Sequence, residues 1–154
     1  MITILEGKER NLFKHHPWVF SGAMDASSLP AIAGVEKVVS YDGRFISWGW
    51  YDKDSHIPLR LLSWKEDDIP NAAWWERSVR ESVLRRKSFF SDMSSSTNVF
   101  RIIHGEADLL PGLVADVYGR IVRMIVSARV AWDMREVLVH TIEGLLHPQM
   151  IILN

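Results

Sequence analysis

The hydrophobic pattern changes its period near residue 70, and this change limits the folds open to the chain. In residues 1–70, short alternating apolar runs are separated by turn residues, a pattern that predicts several strands. Glu66–Asn71 is acidic and contains proline, as helix N-termini often do. Residues 71–154 then open with apolar positions at helical spacing and return to strand-like runs. The sequence therefore predicts an α+β protein of two small units that meet at residue 70.

The first unit is predicted to be a small β-barrel or sandwich. Asp42-Gly43 lies between two strand-like segments and is a strong hairpin signal. In the second of these segments, every second residue from Ile46 to Trp50 is large and apolar, which predicts one aromatic face. Pro58 falls in the next apolar run, Ile57–Leu62, and predicts an edge strand because proline cannot donate to a neighbouring strand.

The second unit is predicted to contain a helix, a β-hairpin, a second helix and a strand. The first helix is expected over residues 71–91, and the serine-rich Ser91–Asn98 that follows predicts a loop. The second helix is expected over Trp132–Leu146, where His147-Pro148 stops it. The apolar run Met150–Leu153 predicts a final strand.

A Pro-Gly turn within the hairpin of the second unit is surrounded by carboxylates. Pro111 and Gly112 predict a type II turn and make a helix unfavourable there. Glu106 and Asp108 precede the turn, and Asp116 follows it. Such a cluster suggests a loop shaped for a ligand or for docking, or else a plain turn whose acids are solvated or bonded to neighbouring groups. No metal site is predicted, because no phosphate-binding group accompanies the acids.

The composition excludes several classes of protein. The formal net charge of the 154 residues is −1, so any surface for nucleic acid must be a local patch. The sequence has no cysteine, which excludes a disulfide scaffold, a cysteine-based zinc site and a thiolate nucleophile in this chain. No apolar run approaches the ~20 residues that span a bilayer. A cytoplasmic protein with no membrane association is expected.

A local basic patch is predicted near the N-terminus, in a short segment that Pro17 ends. Its cations suit phosphate groups, and RNA recognition adds the stacking of bases on aromatic faces. Trp48, Trp50 and Tyr51 either supply such faces or fill the core. The residues predicted to contact RNA are Lys8, Arg10, Lys14, His15 and Arg60, with Arg85, Arg86 and Lys87 as a second strip.

Three motifs follow one another in the order found in a known family. The first is LEGKERNLFKHHPWVFSG (Leu5–Gly22), and the second is SHIPLRLL (Ser55–Leu62), which is similar to a Ser-x-Ile-x-x-Arg stretch. The third, Gly105–Gly119, resembles the signature Gly-Glu-x-Asp-x-Leu-Pro-Gly-Leu-x-x-Asp-x-Tyr. Together they resemble the N-terminal part of the ribosomal large-subunit RNA cytosine-5 methyltransferases of the RlmI type, whose first domain is a PUA domain.

The resemblance implies a PUA-like RNA-binding domain at residues 1–70 and a central α+β domain at residues 71–154. In the full-length family enzyme a Rossmann-like methyltransferase domain follows, which binds S-adenosylmethionine. This chain shows no strand followed by a glycine-rich turn for that cofactor, and it has no cysteine to add to C6 of cytosine. We therefore expect it to present ribosomal RNA during rRNA processing, with no cofactor and no catalytic residue of its own, beside a methyltransferase domain that is missing here.

The resemblance also gives the carboxylate loop an expected place. In the family the central domain lies against the catalytic domain, so Glu106, Asp108 and Asp116, with Pro111 and Gly112, are expected to face the cleft between the two. There they would shape the nucleotide pocket or pin the domain interface. A stand-alone RNA-binding module and a protein-interaction domain without an RNA role are the alternatives. A homodimer stays open.

Overall fold

Two β-sheets organise the chain in a computed structural model, one in each of the units Met1–Pro70 and Asn71–Asn154. The structure describes the backbone of residues 1–91 and 97–154, and the side chains of residues 1–86 and 97–154. The side chain of Lys87 and most of the loop predicted at Ser91–Asn98 therefore lie outside the described residues. Within the described part of the chain, no helix combines the length and the apolar character needed to cross a bilayer.

The first unit is built on a five-stranded sheet. Its strands are β1 (Ile2–Thr3), β2 (Trp18–Val19), β3 (Gly34–Val39), β4 (Phe45–Tyr51) and β5 (Leu59–Ser63). They are ordered β1-β3-β4-β5-β2, with β1 parallel to β3 and the other pairs antiparallel. Register shifts in the β3–β4 and β4–β5 pairs mark bulges, which bend and twist a sheet. The predicted barrel is thus a curled sheet, and Gly43, with a φ of +84°, turns the predicted hairpin between β3 and β4.

The aromatic face predicted for β4 is interrupted at Ile46. The register of β3 against β4 skips this residue, which therefore forms a β-bulge. Ile46 packs in the core together with Tyr51, whereas Trp48 and Trp50 alternate with Tyr51 along the strand and lie half-buried on the other face. The prediction of an aromatic face is confirmed for Trp48 and Trp50 and was wrong for Ile46, because an extra residue shifts the alternation by one position.

The edge position predicted from Pro58 was also wrong. Strand β5 pairs with β4 on one side and with β2 on the other. Pro58 lies just before the strand, where its carbonyl accepts a hydrogen bond of 2.8 Å from the amide of Asp52. Proline lacks only the donor, so it is tolerated at the start of an internal strand.

In its described residues, the second unit combines three α-helices with a four-stranded sheet. The elements are α1 (Ala72–Ser91), β6 (Val99–His104), β7 (Leu113–Tyr118), β8 (Ile121–Val126), α2 (Arg129–Asp133), α3 (Arg135–Leu146) and β9 (Met150–Leu153). The sheet is ordered β6-β7-β8-β9, and β9 runs parallel to β8. Helix α1 packs against α3 and β6. The Asn71 side chain caps α1 by accepting a hydrogen bond of 3.0 Å from the amide of Trp74.

The helix predicted over Trp132–Leu146 is two helices in the structure. The chain leaves the helical conformation at Met134, where φ is −95° and ψ is 6°. Val130 in α2 is buried, and so is Leu138 in α3, so both helices keep an apolar side in the core. Hydrophobic spacing alone did not reveal the break, because the apolar pattern continues across it.

Candidate nucleic-acid interface

The cations predicted near the N-terminus lie on one hydrogen-bonded turn, residues 5–16, which we call the basic turn. The amides of Leu12 and Phe13 both donate to the carbonyl of Glu9, at 3.0 and 3.1 Å. Four predicted contact residues are exposed on it: Lys8, Arg10, Lys14 and His15. The turn therefore presents its cations to solvent at the surface of the first unit.

Trp64 anchors the basic turn to the sheet. Its indole Nε1 donates a hydrogen bond of 2.9 Å to the carbonyl of Leu12, whose side chain is buried in the core. The Trp64 ring also lies 4.8 Å from the ring of His15, between centroids. His15 has a φ of +66°, a left-handed conformation that non-glycine residues seldom adopt. The turn is thus held by an apolar side chain, a hydrogen bond and a ring contact.

Aromatic side chains in and beside the basic turn are exposed, a feature that the sequence analysis missed. Phe13, Trp18 and Phe20 keep 40, 38 and 54% of their surface accessible. The guanidinium of Arg44, on the β3–β4 loop, lies 5.3 Å from the centroid of the Phe13 ring. The interleaving of basic and aromatic residues before β3 was the signal that could have revealed these faces.

The aromatic residues predicted as stacking faces have different environments. Tyr51 belongs to the core, which corrects its predicted role. Trp48 is half-buried and donates its Nε1 hydrogen to the carbonyl of Glu66 at 3.0 Å. Trp50 is half-buried and lies directly opposite Arg60 of β5. Arg60 in turn lies opposite Trp18 of β2, so the sheet brings these three residues together.

Arg85 and Arg86 of the second predicted strip bind a buried carboxylate in the second unit. Arg86 donates to both carboxylate oxygens of Asp108, at 2.9 and 2.6 Å, and Arg85 adds a bond of 3.1 Å. The amide of His104 donates to the same carboxylate at 2.6 Å. Burial raises the pKa of Asp108, but the hydrogen bonds from Arg86, His104 and Arg85 outweigh this and leave that pKa below its ordinary value. The two arginines thus have a clear partner within the unit.

The loop before β7 contains one turn of 3₁₀-helix followed by the predicted Pro-Gly turn. Gly105–Asp108 forms the 3₁₀-helix, where the sequence made a helix unfavourable. A single 3₁₀ turn needs few hydrogen bonds and therefore fits in front of a proline. The type II turn is confirmed, because the amide of Leu113 donates to the carbonyl of Leu110 at 3.1 Å and Gly112 has a φ of +76°.

The acids of this loop make contacts within their own unit. Asp116 accepts two hydrogen bonds from Arg101 on the neighbouring strand, at 2.8 and 3.0 Å, and Asp108 is almost completely buried. Glu106 is half-buried. These contacts favour the structural role that the sequence left open for Asp108 and Asp116. Among the described side chains of residues 1–86 and 97–154, no group of three or more histidine, aspartate or glutamate residues is arranged to hold a metal ion.

Comparison with known proteins identifies relatives of this chain. Residues 2–64 match the model of the PUA-like domain. Ribosomal RNA large subunit methyltransferase I of Tolumonas auensis is 28% identical over 118 residues, which are 76% of this chain and 29% of the relative. The protein of the same name from Yersinia pseudotuberculosis is 25% identical over 143 residues, which are 92% of this chain and 36% of the relative. The chain thus spans about a third of the length of these curated relatives.

Two solved structures share this fold. A protein from Streptococcus mutans described as a SAM-dependent methyltransferase superposes with a TM-score of 0.77 and 20% identity, covering 96% of this chain and 39% of its own. SMU.776, described as a methyltransferase and solved in complex with SAH, gives a TM-score of 0.73 and 19% identity, covering 99% of this chain and 40% of its own. At these identities the likeness establishes the fold.

Proposed function

We propose that this chain, which resembles the N-terminal PUA-like and central domains of the RlmI-type ribosomal RNA methyltransferases, binds ribosomal RNA and presents it for methylation. The basic turn is the observation that carries the proposal. It places four exposed cationic or titratable side chains on one anchored segment, beside the exposed ring of Phe13. Cations that neutralise phosphates supply most of the affinity for nucleic acid, and aromatic faces add contacts to bases.

The charge of the whole chain does not oppose this role. With a net charge of −1, the molecule has no general attraction for polyanions, so binding depends on where the cations lie. Screening confines the influence of a surface charge to about 8–10 Å at physiological salt. Over that range, an RNA phosphate at the basic turn meets the charges of the turn itself, which are the cations Lys8, Arg10 and Lys14 and the acids Glu6 and Glu9. Arg85 and Arg86 are left out of the proposed contact surface, because both are bonded to Asp108.

The residues of this chain do not fit the S-adenosylmethionine that the resemblance implies for a whole enzyme. Within the described residues of the second unit, the parallel strands β8 and β9 are joined through α2 and α3, the kind of connection that carries a glycine-rich turn in cofactor-binding folds. Here that turn is Ser127-Ala128, and the amide of Ser127 donates to the carbonyl of Gly112 at 2.8 Å. Gly112 packs so closely on Ala128 that protein backbone fills the place of a ligand.

The catalytic step is accordingly assigned to residues outside this chain. Cytosine-5 methylation needs a thiolate that adds to C6 of the base, and the sequence contains no cysteine. Within this proposal, the first unit holds the RNA, and a methyltransferase domain of the parent protein supplies both the thiolate and the cofactor. The second unit connects the two.

Charge reversal at Lys8 and Arg10 tests the proposal. The double variant Lys8→Glu, Arg10→Glu is expected to bind purified large-subunit ribosomal RNA about tenfold more weakly at low salt, because two phosphate contacts become repulsive. The slope of log affinity against log salt concentration is expected to fall by about two, one for each lost contact. Filter-binding titrations at several salt concentrations measure both quantities.

A variant with the same change in net charge serves as the control. Lys53→Glu combined with Arg120→Glu alters two exposed side chains outside the basic turn and is expected to keep the slope of the unmodified chain. If both double variants weaken binding equally, the basic turn is not the contact site. If the unmodified chain binds no ribosomal RNA at any salt concentration, the RNA role itself is refuted and a protein-interaction domain is the better interpretation.

A further inference from the structure

A row of three cross-strand neighbours lies on the face of the first sheet that is turned away from the core. Trp18 of β2 pairs with Arg60 of β5, and Arg60 pairs with Trp50 of β4. Directly opposed residues of antiparallel strands point to the same face, with Cβ atoms about 5 Å apart. The register therefore places the arginine between two tryptophans. We call these three residues the Trp-Arg-Trp row.

The next residues along each strand show that this row is not the core side. Each row residue has a neighbour along its own strand that is buried in the hydrophobic core cluster. These neighbours are Val19 on β2, Leu59 on β5 and Tyr51 on β4. Successive side chains of a strand point to opposite faces, so the row faces away from that cluster. Trp18 keeps 38% of its surface accessible, and Arg60 and Trp50 are half-buried. Trp18 thus offers its ring at the protein surface, and beside it lie the partly accessible side chains of Arg60 and Trp50, whose Nε and Nε1 atoms are buried.

The basic turn leads directly into this row. The ring of His16, at the end of the turn, meets the ring of Trp18 edge-on with 6.3 Å between centroids. The carbonyl of Pro17 accepts a hydrogen bond of 2.7 Å from the amide of Leu61, next to Arg60. A nucleic-acid strand whose phosphates contact the turn therefore has the row within reach. The two features form one continuous surface.

We infer that the Trp-Arg-Trp row stacks unpaired RNA bases, so that the RNA bound here is single-stranded or a loop; this inference rests on the proposed function. Indole rings and guanidinium planes are the side chains on which bases stack, with a cation–π contribution from arginine. In an A-form duplex the bases are stacked on one another and the deep groove is narrow, so their faces are closed to a flat protein surface. A surface of this chemistry selects against duplex RNA.

Two substitutions at Trp18 separate stacking from packing. Trp18→Phe keeps a planar ring, whereas Trp18→Leu keeps apolar volume without one. We expect Trp18→Leu to weaken binding of an unstructured single-stranded RNA of about twelve nucleotides by roughly tenfold, and Trp18→Phe to retain most of the affinity. Both variants should bind a duplex of the same length as the unmodified chain does, with the salt slope unchanged. Fluorescence anisotropy of labelled RNAs measures these affinities.

Trp132 provides a matched control, since it is an exposed tryptophan of the second unit with Arg135 5.2 Å from its ring. Trp132→Leu is expected to leave the affinity for both RNAs unchanged. Equal binding of the single strand by Trp18→Leu and Trp18→Phe overturns the inference, as does an equal loss on single strand and duplex. In either case binding by the unmodified chain leaves the proposed function standing. If the unmodified chain binds neither RNA, the proposed function and the inference fall together.

Discussion

Replacing Asp108 by asparagine is expected to destabilise the second unit by about 3 kcal/mol, because the change removes a buried carboxylate and leaves the half-buried Arg86 without its charge partner. The carboxylate accepts bonds from Arg86, Arg85 and the amide of His104, and its side chain is 4% exposed. These bonds tie α1 to the segment after β6. Urea denaturation followed by hydrogen exchange of the β6 and β7 amides measures the loss.

The dependence of this effect on pH has a defined sign. The pKa of Asp108 is lowered in the folded state, so its contribution to stability is fully present above its ordinary pKa of about 4. That contribution is lost as the pH falls through the lower pKa of the folded state. The asparagine variant lacks the titrating group, so the difference between the two proteins should be largest near neutrality and shrink under acid conditions. A constant difference at every pH would contradict this assignment.

Asp116→Asn is the matched control for this prediction. Asp116 accepts two hydrogen bonds from Arg101, whose side chain is 44% exposed, so this ion pair lies at the surface. Such pairs contribute about 1 kcal/mol or less. An equal cost for Asp108→Asn and Asp116→Asn would show that burial of the first carboxylate has no energetic consequence.

Gly112→Ala is expected to cost about 3 kcal/mol or more of folding stability, from two causes that act together. The φ of +76° at Gly112 is one that a side chain disfavours. In addition, a Cβ atom built there would overlap the side chain of Ala128 and lie 2.8 Å from its backbone nitrogen. Backbone cannot move aside as a flexible side chain does. The turn must therefore shift, and the hydrogen bond between Gly112 and Ser127 is lost with it. Urea unfolding monitored by circular dichroism measures the change.

The same substitution at Gly144 is expected to have the opposite sign. Gly144 lies within α3, and a Cβ atom added there would meet nothing within 4 Å. Alanine in a helix is favoured over glycine by about 1 kcal/mol, so Gly144→Ala should stabilise the second unit. If Gly112→Ala proved as harmless as Gly144→Ala, the close approach at Ala128 would not exist in solution.

Local turn chemistry is the part of this fold that the sequence reveals most directly. Asp42-Gly43 and Pro111-Gly112 both turn the chain where predicted, with glycine at positive φ. The restriction that proline and glycine place on the backbone acts within three or four residues. Such turns can therefore be predicted without knowledge of the remaining chain.

Features that depend on the pairing of distant segments could not be predicted in this way. The bulge at Ile46 exists only because β3 skips one residue of β4, and the alternation of side chains along β4 gives no sign of it. The sequence also gives no sign of the break between α2 and α3 at Met134, because the apolar spacing continues through it. A prediction based on periodicity therefore assigns the correct element and the wrong face or boundary.

The candidate site shows the same division. The cations of the basic turn were evident from the local sequence, but their anchor was not, because Trp64 bonds to Leu12 across 52 residues of sequence. The sequence analysis likewise assigned Arg85 and Arg86 to a separate basic strip. It missed their bonds to Asp108, because Arg86 precedes this residue by 22 positions. Only the fold shows that the Asp108 carboxylate lies beside Arg85 and Arg86.

The anchoring of the basic turn has a thermodynamic consequence for any ligand. His15 adopts a left-handed conformation and rests against Trp64, and Leu12 is fixed in the core beneath it. The backbone that carries Lys8, Arg10 and Lys14 is thus ordered when the chain folds. The entropy cost of this ordering is part of folding and is not incurred again when a ligand binds. Binding of a ligand then has to immobilise only the outer bonds of the long side chains. The entropy cost of binding is therefore smaller and the affinity higher.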